Sequence, residues 1–478
     1  MKTADRPYLF FELTNSVCST CLEKIEAKIV FQDERVYLLK NCLKHGREKV
    51  LISTDIEYFK LSRSFLKPGQ LPLRFNTETK FGCPYDCGLC PDHEQHSCLT
   101  LIEVTDKCNL ECPVCYAESG PNAGAHRSLE LIEFMLNELV KNEGEPDVVQ
   151  ISGGEPTIHP QFFDILDLAR SKPIRHLMVN TNGVRIARDR DFCARLATYM
   201  PGFEIYLQFD GLRPKTYTEL RGEDLSSVRQ QALAHLNEFD IATTLVVTLA
   251  RGLNDDEIGE IIEFALKQPC VRGVTFQPIQ AEGRVLGFDP ADRLTLAEVR
   301  QKILQQSPVF ADDDIIPVPC HPDCIAMAYA IKIDDKVVPL SGVIGSDVLL
   351  REAGNTIQYE SDPAVRAKIF ELFSLGKTTG TVSHAIGDLL CCLPKLEFPS
   401  ELSYKNIFRV IIMEFLDKYN FDVRSVKRTC VHIVHPDGRI IPFDTYNMFY
   451  RSDLDVEALS KHIKNTSESK CNLDEPTS

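Results

Sequence analysis

Apolar and polar residues alternate in blocks along the middle of the chain. Apolar, β-branched runs predict six strands, at Leu99–Val104, Asp147–Ser152, Arg175–Asn180, Phe203–Phe209, Ala242–Thr248 and Arg272–Gln277. Amphipathic stretches between them predict helices at Leu129–Lys141, Pro160–Ser171, Asp189–Thr198, Asp224–Phe239 and Asp255–Gln268. This alternation is typical of a parallel α/β sheet. Six units favour an open, partial (β/α)6 barrel, although periodicity alone does not separate it from a flat, doubly wound sheet.

The pattern is less regular after about Ala291. It predicts helices at Thr295–Gln306, Pro363–Leu375 and Tyr404–Lys418, followed by a strand at Cys430–Val434. We therefore divide the chain into an N-terminal metal-binding module (1–80), a cysteine-rich strap (81–99), the α/β core (100–290), a C-terminal α+β region with a further metal cluster (291–464) and a polar, disordered tail (465–478).

Charge and hydropathy exclude several classes of protein. The 478 residues include 53 Lys+Arg and 69 Asp+Glu, which gives a net charge of −16. That balance argues against a nucleic-acid-binding protein, which normally carries a basic surface. No apolar run approaches the roughly 18–20 residues that a transmembrane helix needs. The first ten residues lack the apolar core of a signal peptide. A cytoplasmic enzyme is the expectation.

The 18 cysteines are the main chemical signal. In a cytoplasmic chain, clustered thiols indicate metal binding rather than disulfides. Cys108, Cys112 and Cys115 form a C-x3-C-x2-C triplet directly after the first core strand. Three thiolates can hold three irons of a [4Fe–4S] cluster and leave the fourth open for catalysis. The alternative is a closed zinc site completed by another cysteine.

Small and polar residues follow the other core strands. In such barrels the chemistry lies at the carboxyl ends of the strands, so these residues should share one rim with the triplet. Two glycines allow a ligand to approach the backbone closely. The candidates for this rim are Gly153, Gly154, Glu155, Asn182, Gln208 and Asp210.

Three further groups of residues could hold metals. Cys83, Cys87, Cys90 and Cys98 suit a complete auxiliary [4Fe–4S] cluster or a zinc site. Cys18, Cys21, Cys42 and His45 form paired knuckles, for which zinc is favoured over a rubredoxin-like iron. A looser set could form a second auxiliary cluster, unless several of its members are merely buried thiols. This set contains Cys320, Cys324, Cys430 and either Cys391 or Cys392, of which we select Cys392.

The cysteine triplet follows the first core strand and the GGEP turn follows the second. In this arrangement, residues 100–285 resemble the radical S-adenosylmethionine (SAM) superfamily. The resemblance implies that Cys108, Cys112 and Cys115 hold a [4Fe–4S] cluster whose open iron binds the amino and carboxylate groups of SAM. It also implies that Gly153, Gly154 and Glu155 contact the methionine amino group. Asn182, Gln208 and Asp210 are then candidates for the ribose and carboxylate. One-electron reduction of SAM would give a 5′-deoxyadenosyl radical that abstracts hydrogen.

Nearly the full chain, to about Arg451, resembles the archaeal tetraether-lipid synthase group and its bacterial relatives. The resemblance rests on the CxxC…CxxHG module, the Gly82–Cys90 strap, the run Thr105–Leu110 and the segment Pro436–Phe443. It implies carbon–carbon bond formation between hydrocarbon tails of membrane lipids, with auxiliary clusters assisting. It further implies a reductant such as ferredoxin or flavodoxin, and peripheral contact with the inner face of the membrane.

Lipid headgroups would need a local basic patch, for which Arg185, Arg221 and Arg284 are candidates. The main alternative keeps the cofactor and changes the substrate to a small molecule such as a pterin, which would be methylated, or to a peptide. A third interpretation is a non-catalytic iron–sulfur or zinc scaffold, against which the GGEP turn and the cysteine triplet both argue.

Overall fold

The computed structural model describes residues 7–65, 67–285, 287–333, 336–342, 345–346, 357, 404–451, 454 and 459. Its strands are β1 Leu9–Val17, β2 Lys24–Gln32, β3 Arg35–Cys42, β4 Gly46–Ser53, β5 Leu99–Thr105, β6 Val114–Cys115, β7 Val148–Gly153, β8 His176–Thr181, β9 Phe203–Gln208, β10 Thr243–Leu249, β11 Val271–Pro278, β12 Arg284–Val285, β13 Ile316–Pro317, β14 Ile325–Ile333, β15 Lys336–Pro339, β16 Ile407–Met413, β17 Val431–Val434 and β18 Ile440–Pro442.

The α-helices are α1 Ile56–Ser64, α2 Leu129–Glu143, α3 Phe162–Arg170, α4 Val184–Arg188, α5 Arg190–Ala197, α6 Pro214–Arg221, α7 Ser226–Glu238, α8 Ile258–Leu266, α9 Leu296–Gln306, α10 Val423–Val426 and α11 Phe443–Thr445. The helix predicted at Pro363–Leu375 and the ligand candidates Cys391 and Cys392 lie outside the described residues. Among the helices that are described, none is both long and apolar enough to cross a lipid bilayer.

The N-terminal module is a four-stranded antiparallel sheet in the order β1-β2-β3-β4. Asp33 and Glu34 both have positive φ, as the two central residues of a type I′ hairpin turn require. The other two hairpins of the sheet both turn at its opposite end. Because those two turns carry the Cys18–Cys21 and Cys42–His45 knuckles, the hairpin register brings the two knuckles together.

The six predicted core strands are confirmed as β5, β7, β8, β9, β10 and β11. They are parallel neighbours in the order in which they occur along the chain. On β9, Phe203, Ile205 and Leu207 pack in the large apolar core that also contains the surrounding helices. The alternate residues Glu204, Tyr206 and Gln208 point to the other face, as the two-residue period of a strand requires.

Two strands from the C-terminal region extend this parallel set. β16 pairs with β11 at one end and β17 pairs with β5 at the other, both in parallel. Residues that follow these distant strands nevertheless meet, because the Phe415 and Phe443 ring centroids are 4.1 Å apart and Leu416 N donates to Asp444 Oδ1 at 2.7 Å. The sheet therefore curls into a partial barrel, as predicted. The residues that follow β16 and β17 cover the gap between these two outer strands.

The predicted helix at Tyr404–Lys418 is wrong. Residues Ile407–Met413 form β16, which is buried along its whole length between β11 and the antiparallel β14. A strand that is covered on both faces is apolar at nearly every position. Such a run lacks the alternation that would distinguish it from a buried helix.

A charged cluster lies inside the barrel toward the amino ends of the strands. Glu204 is fully buried, and both of its carboxylate oxygens accept from Arg409 Nη2 at 3.0 Å. His176 Nε2 is 3.0 Å from Glu204 Oε2, and Thr244 and Tyr404 also donate to this carboxylate. Burial alone raises the pKa of Glu204, but Arg409 and His176 outweigh it and hold the pKa well below its usual value.

Replacing Glu204 with glutamine is expected to destabilise the protein by about 3–5 kcal/mol, because Arg409 would be left buried without its counter-charge. The pKa of Glu204 is lowered in the folded state. Its contribution to the free energy of unfolding is therefore complete above the ordinary carboxyl pKa, and it is lost only as the pH falls through the lowered pKa. The difference in melting temperature should therefore be constant from pH 8 to pH 6. The exposed Glu238→Gln variant is the control, and an equal effect there would contradict the assignment.

Candidate active site and metal centres

The cysteine triplet lies in the loop between β5 and α2. This loop is fixed by Cys108 N, which donates to Gly120 O at 3.0 Å, and by the pairing of β6 with β12. Cys108 and Cys112 are buried and Cys115 is partly buried. Burial raises the pKa of Cys108 to about 12, so a bound metal is needed to keep that sulfur as a thiolate at neutral pH.

A large, partly open cavity lies beside the triplet at the carboxyl ends of the core strands. All three cysteines line this cavity. Two glycines and four amide side chains from the ends of the core strands line it as well, namely Gly153, Gly154, Asn180, Asn182, Gln208 and Gln277.

Gly153 and Gly154 are required by the packing of the turn after β7. Gly153 has φ +125°, and a Cβ there would lie 2.2 Å from Thr105 O. A Cβ on Gly154 would lie 2.2 Å from Lys107 O. The turn thus packs directly against the loop that carries Cys108, and its backbone lines the cavity.

Glu155 occupies a different position from the one expected. Its carboxylate is buried and is not among the groups that line the cavity. It accepts hydrogen bonds from Thr157 N at 3.1 Å, Thr181 Oγ1 at 2.7 Å and Asn182 N at 2.7 Å, and also from the Thr157 hydroxyl. Burial raises its pKa even though these donors oppose the rise. Glu155 therefore ties the glycine turn to the end of β8.

Replacing Glu155 with alanine is expected to lower the melting temperature strongly, because the donors on Thr157, Thr181 and Asn182 would lose their acceptor at about 1–3 kcal/mol each. Calorimetry and SAM affinity should be measured on Glu155→Ala, with the exposed Glu133→Ala as control. An unchanged melting temperature combined with lost SAM binding would instead indicate direct contact between this carboxylate and SAM.

Asn182 and Gln208 lie where the sequence predicts. Asn182 Nδ2 donates to Asn109 Oδ1 at 2.7 Å and is 3.8 Å from Cys108 Sγ, which also accepts from Leu110 N at 3.4 Å. Hydrogen bonds to sulfur are typical of iron–sulfur ligands. These contacts therefore fit a metal-bound thiolate at Cys108. Gln208 lines the cavity wall.

Asp210 does not line the cavity, because its carboxylate is taken by Arg221. Arg221 Nε and Nη2 bind the two Asp210 oxygens at 2.7 and 2.6 Å. Burial raises the pKa of Asp210, but the Arg221 charge outweighs burial and lowers it. Arg221 itself lines the cavity beside Cys112. The sequence pattern pointed to Arg221 as a contact for lipid headgroups, whereas the structure pairs it with Asp210 at the end of helix α6.

The three arginines expected to contact lipid headgroups are all engaged within the protein. Besides the Arg221–Asp210 pair, Arg284 donates to Cys112 O at 2.6 Å and to Ser119 O at 2.7 Å. Arg185 donates to Thr157 O and stacks on Phe192. These contacts stabilise the loops around the cavity and do not form a free basic patch.

The N-terminal knuckles form a compact four-ligand group. The ligand atoms of Cys18, Cys21, Cys42 and His45 all lie within 4.8 Å of one another. Cys18 Sγ and Cys42 Sγ are 3.5 and 3.6 Å from His45 Nδ1, and the Cys21 and Cys42 sulfurs are 3.9 Å apart. A tetrahedral site with metal–sulfur bonds of about 2.3 Å has edges near 3.8 Å. The group therefore fits one mononuclear metal.

The strap places Cys83, Cys87 and Cys90 between this module and the barrel. Cys83 and Cys87 are in hydrogen-bond contact through their side chains. Lys24 Nζ donates to Cys83 O at 3.0 Å, and Cys87 N donates to the Tyr450 hydroxyl at 3.0 Å. The strap is thus held from both sides.

Cys98 is grouped differently from the prediction. Its sulfur lies within 4.8 Å of those of Cys320 and Cys430, which are 3.2 Å apart. The backbone explains this arrangement, because Cys98 N donates to Cys430 O at 2.9 Å where β5 begins beside β17. Cys324, which was predicted to join this set, instead contacts Ser425 Oγ at 3.5 Å.

His96 lies next to this group of three cysteines. His96 Nε2 is 3.6 Å from Cys98 Sγ, and His96 Nδ1 is 3.2 Å from Glu143 Oε2. A carboxylate that orients the second ring nitrogen is common behind metal-binding histidines. No short spacing in the sequence links His96 to Cys320 or Cys430, so its position beside these cysteines could not be predicted.

Comparison with known proteins identifies the family. The model of the radical SAM superfamily matches residues 102–265, and that of the HMPTM N-terminal zinc ribbon domain matches residues 10–54. The 7,8-dihydro-6-hydroxymethylpterin dimethyltransferase of Methanocaldococcus jannaschii is 32% identical over 483 residues, covering 92% of this chain and 94% of that protein. The GTP 3′,8-cyclase of Alkaliphilus metalliredigens is 29% identical over 217 residues, covering 44% of this chain and 65% of that protein.

Among solved structures, Streptococcus suis SuiB bound to S-adenosylmethionine matches with a TM-score of 0.37 and 16% identity, covering 61% of this chain and 70% of that one. The similarity to the M. jannaschii protein extends over nearly the whole chain, and the superfamily model covers the strands that surround the cysteine triplet. This chain therefore belongs to the radical SAM superfamily, whose members use a [4Fe–4S] cluster and S-adenosylmethionine.

Proposed function

We propose that this protein is a radical SAM enzyme that methylates a small heterocyclic substrate of the pterin type. The observation that carries the proposal is the 32% identity to a pterin dimethyltransferase over 94% of that protein. The match of residues 10–54 to the zinc ribbon of the same kind of protein supports it. The comparisons thus favour this alternative over the lipid coupling that the sequence motifs indicated.

We assign the [4Fe–4S] cluster to Cys108, Cys112 and Cys115, which share one wall of the large cavity. When bound together, the cluster and SAM supply reductive cleavage of SAM to a 5′-deoxyadenosyl radical. The cavity-lining backbone of Gly153 and Gly154 would receive the methionine amino group, and Gln208 would contact the ribose. Arg221 lines the same wall, where it is paired with Asp210.

The remaining metal ligands follow the distances between the side chains. Cys18, Cys21, Cys42 and His45 would hold one zinc or iron. We assign a second centre to Cys98, Cys320 and Cys430. His96 lies beside it, with Nε2 3.6 Å from Cys98 Sγ. Cys83, Cys87 and Cys90 would contribute to a further auxiliary cluster. A low-potential reductant such as ferredoxin or flavodoxin would supply electrons to these centres.

A second candidate function is the joining of hydrocarbon chains, and one feature of the barrel favours it. A much smaller cavity lies deeper in the barrel and shares Leu99, Tyr206 and Met413 with the large one. Val148, Met178 and Ile411 make its wall mostly apolar. A hydrocarbon chain would need this apolar space to widen, whereas a pterin would need only the upper cavity.

One experiment separates the two functions. Anaerobically reconstituted protein should be incubated with SAM, dithionite and 7,8-dihydro-6-hydroxymethylpterin, and the products analysed by mass spectrometry. Methylated pterin together with 5′-deoxyadenosine is the expected result. SAM cleavage that leaves the pterin unmodified would contradict the proposal. Lipids from cells with and without the gene should be analysed in parallel, where a gene-dependent loss of two hydrogens per new bond would establish chain joining instead.

A further inference from the structure

Arg229 is a buried cation beside the cysteine triplet. It lies on helix α7 and is 1% exposed. Its Nη1 donates to Asn182 O, whereas within the part of the chain that the structure describes its Nε and Nη2 have no hydrogen-bond partner. Burying a charge without a paired counter-charge is strongly unfavourable. A native protein that keeps such a group usually gains something from it.

The surroundings of Arg229 belong to the cluster loop. Its guanidinium lies 5.8 Å from the centroid of the Tyr217 ring. Tyr217 packs in a small apolar cluster with Cys108, Cys112 and Leu110. Arg229 is thus separated from the predicted iron ligands by one layer of side chains.

The charges around Arg229 leave it uncompensated. It is attracted by Asp210 and Cys112 and repelled by Arg221. Asp210, however, is already bound through both oxygens by Arg221. Two guanidinium groups therefore face the Asp210 carboxylate. The other buried carboxylate near the triplet, Glu155, is held by Thr157, Thr181 and Asn182 rather than by an arginine.

A buried positive charge has a direct effect on an iron–sulfur cluster near it. Three thiolates make the site electronegative, and reduction adds one further negative charge. A nearby cation in a medium of low dielectric stabilises the reduced form more than the oxidised form. The reduction potential of such clusters depends on net charge and on hydrogen bonds to the sulfurs.

We propose that Arg229 is a positioning residue that raises the reduction potential of the cluster on Cys108, Cys112 and Cys115. The step that it favours is the transfer of one electron from an external low-potential donor to the cluster. The donor is oxidised by one electron and the cluster is reduced by one, with no change in bonding. This inference rests on the cluster assignment under the proposed function.

Arg229 also supports the loop mechanically, because its Nη1 holds the carbonyl of Asn182, whose amide approaches Cys108 Sγ. The two effects are separable by substitution. Lysine keeps the charge and loses the planar fork, whereas glutamine keeps a hydrogen-bond donor and loses the charge. If Arg229 only supported the loop, the reduction potentials of the lysine and glutamine variants would not differ according to their charge.

The test is a potentiometric titration of the reconstituted holoenzyme followed by electron paramagnetic resonance. The relevant signal is the one that changes when SAM is added, which distinguishes this cluster from the auxiliary centres. We expect Arg229→Gln to have a lower midpoint potential than the wild type and Arg229→Lys to remain close to it. The exposed Arg190→Gln variant should not differ from the wild type.

An unchanged potential in Arg229→Gln would overturn the inference. Loss of the cluster from both Arg229 variants, measured as bound iron and sulfide, would assign the residue to folding and would also overturn it. Failure of the cluster assignment gives a different result, since Cys112→Ala would then retain the SAM-responsive signal whatever Arg229 does.

Discussion

Replacing Cys112 with alanine is expected to abolish reductive cleavage of SAM and to remove about four irons per chain. The reason is geometric, because Cys112 is one of three sulfurs that line the wall of the large cavity. Two remaining thiolates cannot hold a cubic cluster with one open iron. The measurements are 5′-deoxyadenosine formation with dithionite and the bound iron content.

Cys193 provides the matched control. It is also a fully buried cysteine, but it lies on α5 within the apolar core. Cys193→Ala should keep both the iron and SAM cleavage, with only the modest destabilisation of a small core cavity. Undiminished SAM cleavage by Cys112→Ala would place the reactive cluster elsewhere, with the strap cysteines Cys83, Cys87 and Cys90 as the remaining C-x3-C-x2-C triplet.

The second large effect concerns the centre that joins Cys98, Cys320 and Cys430. Replacing Cys430 with alanine is expected to remove the metal bound there and to lower the melting temperature of the holoenzyme markedly. Metal binding contributes directly to folding where the ligands come from separate segments. Elemental analysis together with calorimetry under anaerobic conditions would measure both changes.

Cys324→Ala is the decisive comparison, because the sequence pairs Cys324 with Cys320 whereas the structure places it against Ser425. That variant should keep its full metal content. Equal metal loss from Cys324→Ala and Cys430→Ala would restore the ligand set expected from the sequence and contradict the one drawn from the distances.

The parallel strands and the position of the triplet could be predicted because both are local properties. Each core strand is a short apolar run, and Cys108 follows the first of them directly. The failure at β16 has the opposite cause. Its nearly continuous apolar run suits a buried helix as well as a buried strand, and the strands that pair with it, β11 and β14, lie far away in the sequence.

The direction in which a side chain points could not be predicted from the local sequence either. The GGEP turn predicts a backbone that approaches a ligand, and Gly153 and Gly154 do line the cavity. Whether Glu155 points toward that ligand or away from it depends on Thr157 and Thr181, whose hydroxyls capture the carboxylate. Likewise, the short spacing of Cys90 and Cys98 suggested a shared cluster, whereas the pairing of β5 with β17 decides where Cys98 lies.

The position of β16 and β17 at the two ends of the parallel set has a consequence for biosynthesis. As the ribosome releases the chain from its N-terminus, β5 and β11 are completed while both still lack an outer neighbour. An unpaired strand edge is prone to association with other chains. Both edges are covered only when the last fifth of the sequence has emerged, and the same segment delivers Cys430 to Cys98 and Cys320. If the proposed centre binds a metal, it can therefore do so only late in maturation, once the sheet is complete.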